Sequence, residues 1–149
     1  MSSTSTGTDD LKNVERLAFS DVRIALDVSA QGNAGKAMAF IGMVAPQLAN
    51  TLTIRGAVIN YLDQGRSTAD LCQFALDNDL LPHASNRELA LKVFDNALGG
   101  APDLTTQRAL ESYIAEQGQV NFLQAALALH SNVHVDLVGL AASGVPYLL

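Results

Sequence analysis

The sequence contains no tryptophan, a single cysteine and few aromatic residues, which make up 5% of its 149 positions. The lone Cys72 excludes a disulfide within the chain. Low cysteine content suits cytosolic proteins as well as bacterial proteins exported directly to the outside. A 48% hydrophobic content dominated by alanine and leucine, with few aromatic residues, favours closely packed helices over a β-sandwich. The length fits one domain.

Basic residues are also scarce, since 9 of them stand against 15 acidic residues and the formal net charge is -6. Nonspecific nucleic-acid binding and polybasic attachment to anionic lipid both need a basic face. We therefore expect no nucleic-acid partner and no electrostatic attachment to a membrane surface.

Long apolar runs are missing as well. The most apolar stretch, 34–48, contains Lys36 and Pro46 and is too short to cross a bilayer, so no transmembrane segment is predicted. Residues 1–10 are rich in Ser, Thr, Gly and Asp and are predicted to be a disordered lead-in. They lack the basic start and the apolar core of a cleaved signal peptide.

Residues 11–30 form the convincing β region, which we predict to be a hairpin with its turn at Ser20–Asp21. Large apolar residues alternate with Arg23, Ala25 and Asp27, so one face should pack against helices while the other faces water. The residues predicted to pack are Val22, Ile24, Leu26 and Val28, together with Val14, Leu17 and Phe19.

The rest of the chain, up to residue 149, is predicted to be a bundle of about six to seven short helices that forms one domain with the hairpin. Each helix is delimited by capping residues, glycine or proline. The predicted fold class is therefore mostly α with a short N-terminal β-hairpin. The predicted helices cover residues 33–44, 53–64, 68–78, 86–98, 103–117, 119–130 and 135–142.

Histidine and aspartate near the C-terminus form a candidate metal site. His130, His134 and Asp136 lie close together in the sequence, and imidazole and carboxylate groups suit zinc. These residues keep open a small metal-dependent hydrolase as an alternative function. The competing interpretation is that they are loop and helix-cap residues.

A second candidate, Gly32–Lys36, follows a strand and opens a helix, where a phosphate-binding loop would lie. The phosphate-loop pattern needs a glycine where this chain has Ala30 and a hydroxyl where it has Ala37. We therefore interpret the segment as a glycine turn that lets the strand and the helix pack closely.

Three motifs carry a resemblance to a known protein group. The first motif has two parts: residues 11–27 follow the pattern L-x-N-V-E-R-L-x-F-S-D-x-x-x-A-L-D, and residues 32–35 read G-N-A-G. Residues 96–103 resemble N-x-L-G-R-x-P-D, and residues 135–147 resemble N-L-V-G-L-x-x-x-G-x-x-Y. Together they resemble the helical domain of unknown function found with hemolysin-type (RTX) calcium-binding repeats in bacterial exported proteins.

Relatives of this kind occur in adhesins, surface-layer proteins and other proteins that leave by type I secretion, which uses no cleaved N-terminal signal. The resemblance implies a noncatalytic module, extracellular or on the cell surface, that serves attachment, assembly or surface association. Its partner would be a protein or a cell-surface glycan. An intracellular helical adaptor in the cytoplasm is a further alternative.

Calcium binding is suggested only by this resemblance, which implies Asp21 and Asp27 as candidate ligands. No other cofactor is expected. The chain departs from the group's pattern at Gly100, where arginine is usual, and at Leu104, where glycine usually follows Pro-Asp. It also carries no nonapeptide calcium repeats of its own. A calcium-dependent fold therefore does not transfer with the resemblance.

The motif residues are predicted to be structural. We expect Gly99 to accept a left-handed backbone at the end of a helix, and Pro102 to turn the chain. Asp103 should cap the following helix by accepting backbone N–H groups. The full structural signature comprises Asn96, Gly99, Pro102, Asp103, Gly139 and Gly144.

Overall fold

The computed structural model describes residues 14–129 and 133–149. Within these residues the chain forms seven α-helices and one three-stranded antiparallel sheet, which confirms the predicted fold class. The predicted lead-in at residues 1–10 lies outside the described residues. The strands are β1 (Arg16–Ala18), β2 (Arg23–Ala25) and β3 (Val145–Tyr147). The helices are α1 (Asn33–Val44), α2 (Leu52–Asp63), α3 (Thr68–Asp77), α4 (Asn86–Leu98), α5 (Leu104–Gln117), α6 (Gln119–Ala128) and α7 (Leu137–Ser143).

Local capping signals explain where several helices begin. The Ser67 hydroxyl accepts the backbone N–H of Asp70, whose carboxylate accepts the Ser67 N–H in return, so α3 starts with a complete capping box. Ser85 likewise caps α4 through the backbone N–H of Glu88. These contacts satisfy N–H groups that have no partner within the helix.

Helix α1 is the centre of the fold. Ten of its 12 residues are buried, and it packs against α2, α3, α4 and α6. A helix that is apolar on all sides is stable only when it is surrounded by protein or lipid. None of the helices within the described residues has the length and apolar character needed to cross a membrane.

The predicted hairpin is present, and β1 and β2 are joined by the turn at Ser20–Asp21. Strand β3 is not among the predicted elements, because it contains Pro146 and proline is rare within strands. It pairs with β2, placing Pro146 opposite Ile24. Proline is tolerated here because β3 is an edge strand. The pairing brings the C-terminal segment back to the N-terminal hairpin.

The prediction of which hairpin face packs inward is correct only in part, since Val28 packs against the core and Val22 and Ile24 are half-buried. Ala25 is fully buried, whereas Phe19 is 57% exposed and Leu26 is 39% exposed. Ala25 shares its face with Arg16, its cross-strand partner, and with Asp27. Asp27 contacts the start of α1 and Arg16 contacts Asp63 at the end of α2, and a hydrophobic pattern cannot show such contacts.

Two helices show faces that hydrophobicity alone does not explain. Phe74 of α3 is a large apolar residue but is 50% exposed. In α2, Ala57 is exposed, while Arg55 is buried beside Gly56, Ile59 and Leu62. The buried stripe of α2 therefore carries a charged residue into the interior.

Candidate functional site

The first motif forms a charged contact at the start of α1. The Asp27 carboxylate accepts the backbone N–H groups of Asn33, at 2.7 Å, and of Ala34, at 3.3 Å. Its other oxygen pairs with the Arg16 guanidinium. Asp27 thus caps α1 from outside the helix, and its negative charge also interacts favourably with the positive end of the helix dipole.

Asp63, at the end of α2, completes this contact. It accepts Arg16 Nη2–H at 2.6 Å and Nε–H at 3.1 Å, and it accepts the Asn33 amide at 2.9 Å. Burial lowers the pKa of Arg16, but hydrogen bonds to Asp63 and Asp27 and their charges raise it above its ordinary value on balance. We call Arg16, Asp27, Asn33 and Asp63 the Arg16 cluster.

The G-N-A-G segment packs closely against this cluster. A Cβ atom at Gly32 would collide with the carbonyl oxygen of Asp27. The glycine-turn interpretation of this segment is therefore confirmed.

Neither calcium candidate of the hairpin lies in an obvious metal site. The Asp27 oxygens are occupied by N–H donors and face a guanidinium, whereas Asp21 lies exposed in the hairpin turn. Among residues 14–129 and 133–149, no group of three His, Cys, Asp or Glu side chains is arranged to hold a metal ion.

The second motif joins α4, α1 and α5. The buried Asn96 amide donates to the carbonyl of Met43 at 2.7 Å, which ties α4 to the end of α1. Gly99 has a φ of 74°, so the predicted left-handed backbone is confirmed. Asp103 accepts the Thr106 backbone N–H at 2.7 Å, which confirms its predicted cap. Pro102 lies in the short connection between these two helices.

The third motif attaches the C-terminal segment to the sheet. Asp136 caps α7 by accepting the Gly139 backbone N–H at 2.8 Å. Gly144 has a φ of 77°, and a Cβ atom there would collide with Ile24 of β2. Tyr147 is buried in β3. The three motifs therefore build helix ends and junctions in different parts of the fold, without converging on one site.

Cys72 has the character of a core residue. It is completely buried, and burial raises the pKa of its thiol to about 12. The protonated thiol is a poor nucleophile and a poor metal ligand.

A cavity of about 160 Å3, with both polar and apolar walls, brings together two of the predicted metal candidates, His134 and Asp136. The third, His130, lies outside the described residues. We call this space the Arg55 cavity. Its walls comprise Met38, Ala49, Asn50, Arg55, His134, Val135, Asp136, Gly139 and Leu140.

Arg55 is the charged residue that sequence reasoning missed. It is 7% exposed and donates to the Ala49 carbonyl at 2.6 Å, the Asn50 side-chain oxygen at 3.0 Å and the Pro146 carbonyl at 3.2 Å. Burial lowers its pKa. A sequence signal existed, because Arg55 stands four and seven positions before Ile59 and Leu62, the spacing of one helix face.

A second concave surface is apolar and open to solvent. It lies between α4, α5 and α6 and has a volume of about 230 Å3. Leu129, at its edge, is 74% exposed. We call it the α4–α6 groove. Its lining comprises Val93, Phe94, Ala97, Leu98, Leu110, Tyr113, Phe122, Ala125, Ala126 and Leu129.

No family model, no curated protein and no solved structure matches this chain. The resemblance to exported bacterial proteins therefore depends on the three motifs alone. Contacts within the fold account for Asp27, Asn96, Gly99, Asp103 and Gly144, so these motifs bear on architecture more directly than on ligand binding.

Proposed function

We propose that the chain is a noncatalytic module of a secreted or cell-surface bacterial protein and that it serves attachment or assembly. The α4–α6 groove is the observation that carries this proposal, and its occupant is a short amphipathic helix of a partner protein. The resemblance of the three motifs to exported proteins supports the location. Charge supports the exclusion of nucleic acid, because the chain is acidic overall.

The lining of the groove supports an apolar occupant. All ten lining residues are apolar or aromatic, and large exposed side chains, Leu98, Tyr113 and Leu129, stand around the opening. Exposed apolar surface of this kind marks interaction sites in soluble proteins. A partner that buries these side chains removes them from water, which contributes roughly 25 cal/mol for each Å2 of apolar surface.

The dimensions support a short helix as the occupant. From Phe122 to Leu129 the groove runs along two turns of helix, or about 10 Å. A stable globular dimer buries about 800 Å2 on each partner and uses roughly 20–30 residues a side. The groove has ten lining residues, which suits two or three anchoring side chains at helical spacing.

The binding test uses a synthetic helical peptide with leucines at positions i, i+3, i+4 and i+7, and a scrambled peptide of the same composition. We expect saturable shifts of the NMR signals of Ala97, Ala125 and Ala126 with the amphipathic peptide. Ala125→Arg places a charge in the groove and should abolish the response. Ala128→Arg is the matched control, because Ala128 is exposed on the same helix and does not line the groove.

Equal binding of the scrambled peptide, or shifts that persist in Ala125→Arg, would reject the groove as the binding surface. If the protein self-associates and Ala125→Arg abolishes this association, the occupant of the groove is a second copy of the chain and not a partner helix.

The location of the protein is tested separately, in cells of the organism whose genome encodes it. We expect it in the culture medium or exposed to added protease at the cell surface. Retention in the cytoplasm, together with peptide binding, would favour the intracellular helical adaptor.

The alternative of a metal-dependent hydrolase rests on the Arg55 cavity, because both His134 and Asp136 line it. Metal analysis of the purified protein distinguishes this alternative. One equivalent of zinc that is lost in His134→Ala would favour the hydrolase over the interaction module.

A further inference from the structure

Within the described residues, the Arg55 guanidinium makes no ion pair, and the Asp136 carboxylate lines the same cavity without pairing with it. The three groups that accept its hydrogen bonds are two backbone carbonyls and an amide oxygen, all of them neutral. Within the described residues, no acidic side chain lies within 4.0 Å of the guanidinium. An unpaired buried charge is costly, and proteins usually pair such a charge with an anion.

The guanidinium also retains unused hydrogen-bonding capacity. It has five N–H donors, of which three have acceptors in the described part of the chain, so Nη1 and Nη2 each keep one more. The Asn50 side chain turns its oxygen to Arg55, and its NH2 group supplies two further donors. Both residues line the same cavity.

The cavity is large enough for a small ligand. Its volume of about 160 Å3 is about ten times the roughly 15 Å3 that one water molecule requires. Carboxylate and phosphate groups match the guanidinium fork, because two of their oxygens can accept parallel N–H bonds.

Asp136 also lines the cavity and limits which anions fit. One of its oxygens accepts the Gly139 N–H, and it does not pair with Arg55. Its charge repels an incoming anion across the cavity, which disfavours multiply charged ligands.

We propose that the Arg55 cavity is a binding site for a small oxyanion, a carboxylate or phosphate group held by the Arg55 guanidinium and the Asn50 amide. This inference goes beyond the proposed function, because it concerns a different surface of the molecule and a different class of ligand. Its test is independent of peptide binding at the α4–α6 groove.

The test is an NMR titration of the full chain with acetate and, separately, with inorganic phosphate, at constant ionic strength maintained with sodium chloride. We expect saturable shifts at the Arg55 Nε–H and the Asn50 side-chain amide with at least one of the two anions. A stronger response to acetate assigns a carboxylate ligand, and a stronger response to phosphate assigns a phosphate ligand. Shifts that chloride reproduces, or no saturable shift, would overturn the proposal.

Two variants sharpen the result. Asp136→Asn keeps the cap of α7, because asparagine and aspartate cap helices almost equally, and it removes the repelling charge. We expect anion binding to become roughly five- to tenfold tighter. Unchanged or weaker binding in the folded variant would contradict the assigned site.

Arg55→Met should lose the response, whereas Arg23→Gln should keep it, since Arg23 is exposed and lies outside the cavity. If Arg55→Met does not fold, the wild-type titration and the Asp136→Asn comparison still decide the question. Loss of the response in Arg23→Gln would show that the anion binds elsewhere.

Discussion

The half-buried Arg16 and the buried Arg55 differ in the groups that surround them. Arg16 lies between two carboxylates, those of Asp27 and Asp63, and together with Asn33 it joins the hairpin to α1 and α2. Arg55 is enclosed by neutral acceptors and borders a cavity. Arg16, which is paired with carboxylates, therefore stabilises the fold, whereas Arg55, which has no such partner among the described residues, is available to a ligand.

The pKa shifts of the two residues follow the same difference. Burial acts to lower both values, but hydrogen bonds and charges of Asp63 and Asp27 raise the pKa of Arg16 above its ordinary value. For Arg55 burial acts alone, and its pKa is lowered. Removing either side chain should therefore have different consequences for stability.

The largest effect is expected for Arg16→Met, which leaves two carboxylates without their cation. We expect the free energy of unfolding to fall by about 2–3 kcal/mol, between the values for exposed and buried ion pairs. Urea denaturation measures the change. Arg23→Met is the matched control on the same hairpin and should change stability by less than about 0.5 kcal/mol. Equal effects of the two substitutions would show that the Arg16 cluster contributes little.

Arg55→Met should cost less, about 1–2 kcal/mol, because the lost hydrogen bonds are partly offset by removal of a buried unpaired charge. The same urea experiment compares it directly with Arg16→Met. A loss larger than that of Arg16→Met would contradict the contrast between the two arginines. Added acetate or phosphate should stabilise the wild-type protein and Arg16→Met, which keep the cavity site, but not Arg55→Met. The loss of stability in Arg55→Met should therefore become closer to that in Arg16→Met.

Asp103 provides a comparison with Asp27, because both carboxylates cap helices, but Asp103 is exposed and has no arginine partner within the described residues. Asp103→Ala should lower the melting temperature by about 3 °C, whereas Asp103→Asn should leave it nearly unchanged. Differential scanning calorimetry measures both variants. If Asp103→Asn abolished a calcium or ligand response at an unchanged melting temperature, the loop would be functional instead of architectural.

The pH dependence of the Asp103 cap is a smaller effect. Hydrogen bonds from the Thr106 N–H and side chain and the Thr105 N–H hold the pKa of Asp103 below its ordinary value of 3.8. The unfolded chain therefore binds the proton first as pH falls, and the contribution of the charged cap is lost from about pH 4 downward. Asp103→Asn should lose less stability than the wild-type protein over this range. Parallel acid titrations followed by circular dichroism test the difference.

The smallest effect is expected on metal removal. In the Arg55 cavity the guanidinium repels a cation near His134 and Asp136, and in the Arg16 cluster the Asp27 oxygens are already occupied. We expect chelation to leave the melting temperature unchanged, with no stoichiometric zinc or nickel in the purified protein. A lower melting temperature after chelation, reversed by calcium or zinc, would contradict this prediction.

The features that could be predicted from the sequence depend on contacts between residues that are close together in the chain. The bounds of α1, the caps at Ser67, Ser85 and Asp103 and the backbone of Gly99 all follow from residues within one or two helical turns. Local sequence patterns reveal such contacts, because the residues that form them are close together along the chain.

Only the tertiary structure decided the inward face of β2, the pairing of β3 and the surroundings of the two arginines. The hydrogen bond from Arg55 to Pro146 spans 91 positions, and that from Arg16 to Asp63 spans 47. Periodicity describes each segment separately, so it cannot show which distant carboxylate or carbonyl a buried guanidinium meets. Packing around the apolar α1 brings these residues together, and it thereby determines which arginine is neutralised and which one borders a cavity.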